Sequence, residues 1–214
     1  MNPKQVLLLA LTALAVTGCA GNLPNLRWQY LQTDPLPVQE RQQKAQPHPV
    51  IVIPGLMSSR LEDADTGGEA WFGPWWRIYW HDYRDLALEI NPETLAPRSS
   101  PLEASALPRT VLGNDFYGSL FDVLEQGGGY EYTRPGTPYT QRERRYYRFP
   151  YDWRYGNVES ARRLDALIEQ IRRDYDDPDL KVDIVAHSMG GLVARYYMRY
   201  GTKDVLDDNA FPVN

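Results

Sequence analysis

The sequence predicts an α/β fold built on a mainly parallel sheet. Three observations carry that expectation. Val50-Ile51-Val52-Ile53 and Val182-Asp183-Ile184-Val185-Ala186 are short β-branched runs of the kind that fill strands covered on both faces. Residues 157–175 and 190–200 carry helical apolar spacing. The resulting order of strand, helix, strand, helix implies parallel pairing through crossover connections.

Composition narrows the class. The chain has 214 residues, 43% hydrophobic and 24% charged, which excludes disorder, collagen and coiled coil. With 23 Lys and Arg against 28 Asp and Glu, the net charge of −5 leaves no basic footprint for nucleic acid, and none is expected as a partner. Tyr (15) and Trp (6) far outnumber Phe (5), and such amphipathic rings suit wet interfaces as well as cores.

The N-terminus reads as an address. Lys4 precedes an apolar run, Val6 to Val16, that is too short for a bilayer span of roughly 20 residues. A basic start, a short apolar stretch and then small residues describe a secretory signal peptide. The only Cys of the chain, Cys19, closes Val16-Thr17-Gly18-Cys19. That segment resembles the bacterial lipobox, whose Cys is lipidated and becomes the mature N-terminus; the alternative is a plain signal peptide with an incidental Cys. The lipobox reading makes 1–18 a lipoprotein signal peptide, 19–47 a polar, Gln-rich tether and 48–214 the folded part. Two or more acyl chains on Cys19 would anchor the protein stably to a membrane. Ala20, in place of Asp, favours the outer membrane by the same resemblance, so the expected location is the bacterial cell envelope, facing the periplasm.

Within the folded part, Val50–Ile53 is the first strand, broken by Pro54-Gly55. Trp76, Tyr79, Trp80, Tyr83 and Leu86 or Ala87 follow helical spacing. Residues 91–110 hold four prolines and read as loop. Phe116, Leu120, Phe121 and Leu124 mark a helix over 116–126, ended by Gly127-Gly128-Gly129. Tyr146–Phe149 is a strand stopped by Pro150. Leu164, Leu167, Ile168, Ile171 and Tyr175 line one face of a helix over 157–175. Val182–Ala186 is the second buried strand, and Gly190–Tyr200 is a helix closed by Gly201.

The chemistry sits where the second buried strand ends. Ala186-His187-Ser188-Met189-Gly190 is G-x-S-x-G with Ala at the first small position. A sharp strand-to-helix turn holds such a Ser in a strained backbone conformation and lifts its hydroxyl above the sheet. The positions two before and two after the Ser crowd each other, so they must be small, and Ala186 and Gly190 comply. The Met189 N–H, at the start of the helix, points toward the same spot. A second oxyanion donor is expected in the loop after the first strand, where Gly55 permits a tight turn that aims the Leu56 N–H at the site. His187 adjoins Ser188, but neighbouring residues on such a turn point apart, so a packing or supporting role is expected for it. Neither His48, at the end of the tether, nor His81, in the aromatic segment, has a catalytic pattern around it.

These motifs together resemble the lecithin–cholesterol acyltransferase family of α/β-hydrolases. The matching text is Pro49 to Glu62, then Phe149-Pro150-Tyr151-Asp152-Trp153-Arg154, then Lys181 to Leu192, with Asp115-Phe116-Tyr117-Gly118 as a weaker fourth element. The resemblance implies that Ser188 is the nucleophile of an acyl-enzyme. The acyl group would come from a glycerolipid-type ester and pass to water or an acceptor alcohol, with no cofactor and no metal. It also aligns the aromatic stretch 71–83 with a segment that meets lipid surfaces. In some relatives a disulfide closes that segment, and here no Cys can. Trp71, Trp75, Trp76 and Trp80 fit either lipid contact or a helix face packed on the core.

The departure from the family pattern lies after Ser188. In this fold the triad runs Ser, then Asp or Glu, then His, yet residues 189–214 contain no His. The expectation is therefore the N-terminal part of an α/β-hydrolase domain, C-terminally truncated shortly after the nucleophile elbow, with the triad acid and base unknown. Strand 182–186 would then be an exposed apolar edge. Two functions compete: a lipid acyl hydrolase or O-acyltransferase completed from elsewhere, and a catalytically inactive envelope lipoprotein built on a hydrolase remnant.

Overall fold

The computed structural model describes residues 48–73, 83–94, 96–111, 114–140 and 143–205, all within the unit His48–Asn214. The signal peptide, Cys19, the tether, Trp75, Trp76, Trp80 and His81 lie outside the described residues.

The elements in chain order are β1 (Val50–Ile53), β2 (Arg60–Asp63), β3 (Glu69–Trp71), a 3-10 turn at Arg84–Leu86, β4 (Leu102–Ala106), β5 (Thr110–Val111), β6 (Asn114–Asp115), α1 (Gly118–Asp122), β7 (Tyr130–Tyr132), β8 (Arg144–Arg148), α2 (Asn157–Tyr175), β9 (Asp183–Ala186) and α3 (Met189–Tyr200). The main sheet has the order β7-β8-β1-β9, and its three pairings are all parallel. This is part of an α/β fold with crossover helices, as the strand–helix alternation predicts.

β1 is the axis of the molecule. Ile51 and Ile53 face a core of Tyr147, Phe149, Tyr151, Leu164, Ile168, Ile171, Val193 and Ala194. Val50 and Val52 face the opposite core, with Leu107, Tyr117, Phe121 and Tyr146. A strand buried on both faces cannot alternate apolar with polar, which is why the run is continuous. α2 presents Leu164, Ile168 and Ile171 to the first core and ends at Asp176, which adopts left-handed geometry (φ 52°) and donates its N–H to Arg173. β9 has β1 on one side only and ends the sheet among the described residues; Val185 on it is 38% exposed. No helix among the described residues is long and apolar enough to cross a membrane.

Several expectations change. Residues 91–110 are not all loop: Leu102–Ala106 forms β4, pairing antiparallel with β2, and β2 pairs with β3. The alternation of Leu102-Glu103-Ala104-Ser105-Ala106 fits a half-buried strand, but the four surrounding prolines obscured it. Trp71 sits on β3, not on a helix. At the far end of the aromatic segment, Tyr83 has φ 50° and Arg84–Leu86 is a single 3-10 turn, with Ala87 extended. Helix 116–126 is a short α1 continued by a π-helical turn, Val123–Gly127. Ile90 and Pro97 add an isolated bridge.

Pro150 stops β8, and the residues after it tie the small β2–β4 sheet to the main one. The Tyr151 N–H donates to Ser59 Oγ at 3.1 Å and Trp153 Nε1 to the Ser59 carbonyl at 3.4 Å. Trp153 also meets Trp71 edge-on at 5.7 Å. Asp152 takes Arg154 in a fork, Nε to Oδ1 at 2.9 Å and Nη2 to Oδ2 at 2.6 Å. The pair is buried, with side-chain exposures of 4% for Arg154 and 2% for Asp152. Arg154 reaches on to the Leu86 carbonyl, Ser100 Oγ and the Leu102 carbonyl at 3.3, 3.0 and 3.2 Å. Removing one member of such a pair leaves a buried charge unmatched. Asp152→Ala is expected to lower the unfolding free energy by about 3–5 kcal/mol in urea titration; a loss under about 1 kcal/mol would show the pair to be peripheral.

Candidate active site

β9 feeds straight into the Ser188 turn. The β1–β9 ladder extends one residue past Ala186, with the His187 N–H donating to the Ile53 carbonyl at 3.0 Å. The backbone then reverses at Ser188, whose φ of 53° and ψ of −123° are unfavourable for a side-chain-bearing residue. Gly190 N–H to His187 O and Gly191 N–H to Ser188 O, both 2.9 Å, close the turn as α3 begins.

Two glycines allow β1 and the turn to touch. A Cβ on Gly190 would lie 2.4 Å from the Pro54 carbonyl oxygen and 2.8 Å from that of Ile53. A Cβ on Gly55 would lie 3.1 Å from the Ser188 Cβ and 3.0 Å from His187 Nδ1. The Pro54-Gly55-Leu56 loop therefore rests directly against Ser188. Ser58 N–H closes this loop onto the Gly55 carbonyl at 3.3 Å, Met57 takes φ 59°, and Trp71 Nε1 donates to the Met57 carbonyl at 2.8 Å. Trp71 thus braces the loop and packs on Phe72, Tyr83 and Trp153. Among the described residues, neither the Leu56 N–H nor the Met189 N–H donates to a protein acceptor.

The three His residues part company. His187 is exposed, and its Nδ1 lies 2.9 Å from the Tyr117 hydroxyl, the two rings meeting edge-on at 5.8 Å. His48 belongs to the folded part and not to the tether: its Nδ1 is 3.5 Å from Asp183 Oδ1, at the amino ends of β1 and β9. Ser188 is at the carboxyl ends of the same strands, where α/β sheets place their sites. His81 lies outside the described residues. Burial pushes the Tyr151 hydroxyl up to about 12, with neighbouring Tyr117 adding to the shift, so this phenol stays protonated near neutral pH. Among the described residues, no group of three or more His, Cys, Asp or Glu is placed to hold a metal ion.

Tyr117 is the site neighbour that sequence reasoning missed. Its hydroxyl also accepts the Gly55 N–H at 2.9 Å. The text Asp115-Phe116-Tyr117-Gly118 marked the segment, but a contact between positions 55 and 117 leaves no local trace.

The two glycines of Met189-Gly190-Gly191 give a paired test of this packing. Gly191 faces open space, so Gly191→Ala is expected to be neutral or to stabilise α3 by up to about 1 kcal/mol. Gly190→Ala forces a methyl against backbone oxygens and is expected to cost about 3 kcal/mol. Equal thermal shifts for the two variants would refute the close approach.

The sequence model of the family described as lecithin:cholesterol acyltransferase matches residues 139–209. That span runs from just before β8, through Tyr151–Arg154 and α2, to the Ser188 turn and α3. No match was found among curated proteins. The match falls on β8, α2, β9 and the Ser188 turn, and over that stretch the chain is similar to the lecithin:cholesterol acyltransferase family, which supports an α/β-hydrolase fold with broadly acyltransferase or lipid-hydrolase chemistry.

Proposed function

We propose that Ser188 is the nucleophile of a lipid acyl hydrolase or O-acyltransferase acting on glycerolipid-type esters. The observation that carries this reading is the strained turn at Ser188 with the Gly55 loop packed against it, while the N–H groups of Met189 and of Leu56 in that loop donate to no protein acceptor among the described residues. Ser188 Oγ attacks the ester carbonyl carbon while a general base removes its proton. The carbonyl oxygen becomes an oxyanion held by the two N–H groups. Collapse breaks the ester C–O bond, and the departing alcohol takes the proton from the base. Water or an acceptor alcohol then attacks the acyl-enzyme by the same route in reverse.

The base is not among the residues that support this reading. Among the described residues, His48 lies at the other end of the strands and His187 holds Tyr117 through Nδ1; His81 lies outside the described residues, and residues 189–214 have no His. In this proposal the base and its acid are supplied from outside residues 1–214. A positioned base is worth about 10²–10⁴-fold. A fluorophosphonate probe is accordingly expected to label 19–214 weakly on Ser188 and at least ~100-fold faster when the base is supplied, with Ser188→Ala losing all label. Robust Ser188-dependent hydrolysis of p-nitrophenyl esters by 19–214 alone would overturn the external base. No label in either form would favour the non-catalytic lipoprotein.

We further propose that Cys19 carries the lipid that anchors the protein in the cell envelope, at the periplasmic face of the outer membrane, which brings the site to its substrate. The lipobox-like Val16-Thr17-Gly18-Cys19 supports this. Metabolic labelling with palmitate should mark the wild type and not Cys19→Ser; label retained in the variant would discard the anchor.

A further inference from the structure

Tyr117 is bonded to both halves of the site. Its hydroxyl accepts the Gly55 N–H at 2.9 Å and lies 2.9 Å from His187 Nδ1. The bond from Gly55 leaves the phenol's own proton to be placed. Tyr117 is 4% exposed, so a proton without an acceptor there would carry a desolvation cost. Donation to Nδ1 places it, and a neutral imidazole that accepts at Nδ1 must hold its hydrogen on Nε2. One hydroxyl thereby ties the loop that follows β1 to the residue that precedes Ser188.

The segment around Tyr117 is built to hold it still. The N–H groups of Phe116, Tyr117 and Gly118 converge on the Arg109 carbonyl at 3.0, 3.0 and 3.1 Å. The Asp115 carboxylate accepts the Ser119 N–H at 3.0 Å and also its hydroxyl. A Cβ on Gly118 would lie 2.5 Å from Asp115 Oδ1, so a side chain there would displace that carboxylate. The Arg109 guanidinium holds Asp122 at 2.8 Å and pairs with Glu125. The phenol ring stacks on Phe121, 6.2 Å between centroids. Packing of that ring requires no hydroxyl; the hydroxyl's partners are the loop and the turn.

We propose that Tyr117 is a positioning residue of the acyl-transfer site: its hydroxyl locks the Gly55-Leu56 loop in register with Ser188 and turns the His187 ring away from the nucleophile, as the Nε2–H tautomer. The proposal rests on the serine reading above. A fixed Gly55 N–H fixes the chain leading into the Leu56 amide, so the oxyanion donors are set before substrate arrives and need no reorganisation during reaction.

The test combines nitrogen-15 NMR of the full chain with the rate of Ser188 phosphonylation by a fluorophosphonate when the base is supplied. In the wild type, His187 reports the Nε2–H tautomer and the Gly55 amide exchanges slowly. Tyr117→Phe is expected to speed Gly55 exchange by about 10-fold and to erase the tautomer bias. It should slow phosphonylation about 10- to 100-fold with little change in the probe concentration giving half-maximal rate. Phe116→Leu, at the exposed neighbour, should leave all three readouts unchanged. A wild-type His187 in the Nδ1–H form overturns the proposal without any variant. So does a Tyr117→Phe protein with unaltered Gly55 exchange, or one that phosphonylates at the wild-type rate. If wild-type Ser188 takes no label, the serine reading falls and the positioning role with it, while Gly55 exchange still reports whether the hydroxyl joins loop to turn.

Discussion

Ile53 and Ala186 are register partners at the carboxyl ends of two parallel strands, and everything at the site hangs on how closely the chain passes between them as it leaves each one. The turn at Ser188 backs onto the Pro54 and Ile53 carbonyls at a separation that excludes any side chain on Gly190. The loop after β1 meets the same turn from its other side through Gly55. With bulkier residues at those two positions the loop would stand away from Ser188. Backbone strain at Ser188 persists because this packing over-determines it.

Part of the tyrosine excess lies in the framework around that contact. Tyr146, Tyr147 and Tyr151 are fully buried, so part of the aromatic surplus is core. The polar end of Tyr146 meets a cation and a carboxylate at the margin, whereas the buried Tyr151 hydroxyl has no hydrogen-bond partner among the described residues. Arg148 lies over Phe121 at 3.9 Å and Tyr132 at 4.3 Å, and donates to the Tyr146 hydroxyl at 2.8 Å. That hydroxyl donates in turn to Glu125 at 2.6 Å, and burial pushes it up to about 12. Arg145 lies over Tyr139 at 5.2 Å and holds Glu143 at 2.7 Å. Phe could fill the same volumes but could not close these networks, whose desolvated groups need partners. Tyr117 follows the same logic, and there the networked groups are the loop and turn of the site.

The family's distinctive text divides between two jobs. Ala186–Gly190 shapes the site itself. Tyr151-Asp152-Trp153-Arg154 clamps Ser59, Leu86, Ser100 and Leu102 around a buried ion pair, and Tyr151 joins the core on which Met189 packs. Trp71 links this segment to the loop beside Ser188, packing on Trp153 and donating to the Met57 carbonyl.

The sequence by itself determined β1, α2, β9, α3 and the Ser188 turn, because each is written in local terms. A continuous β-branched run, a one-sided helical stripe and small residues two on either side of a Ser need no distant partner to be read. It located the loop at Gly55 for the same reason. It did not show β2, β3 and β4, of which β2 and β4 pair across some 40 positions, or the 3-10 turn at Arg84–Leu86 that follows Tyr83. Nor could it show that Asp152 and Arg154 form a buried fork, or that Tyr117 bridges Gly55 and His187. Those are meetings of side chains carried by different elements. Only the tertiary structure brings them within reach, because hydrogen bonds and ion pairs act over about 3 Å of space and are blind to separation along the chain.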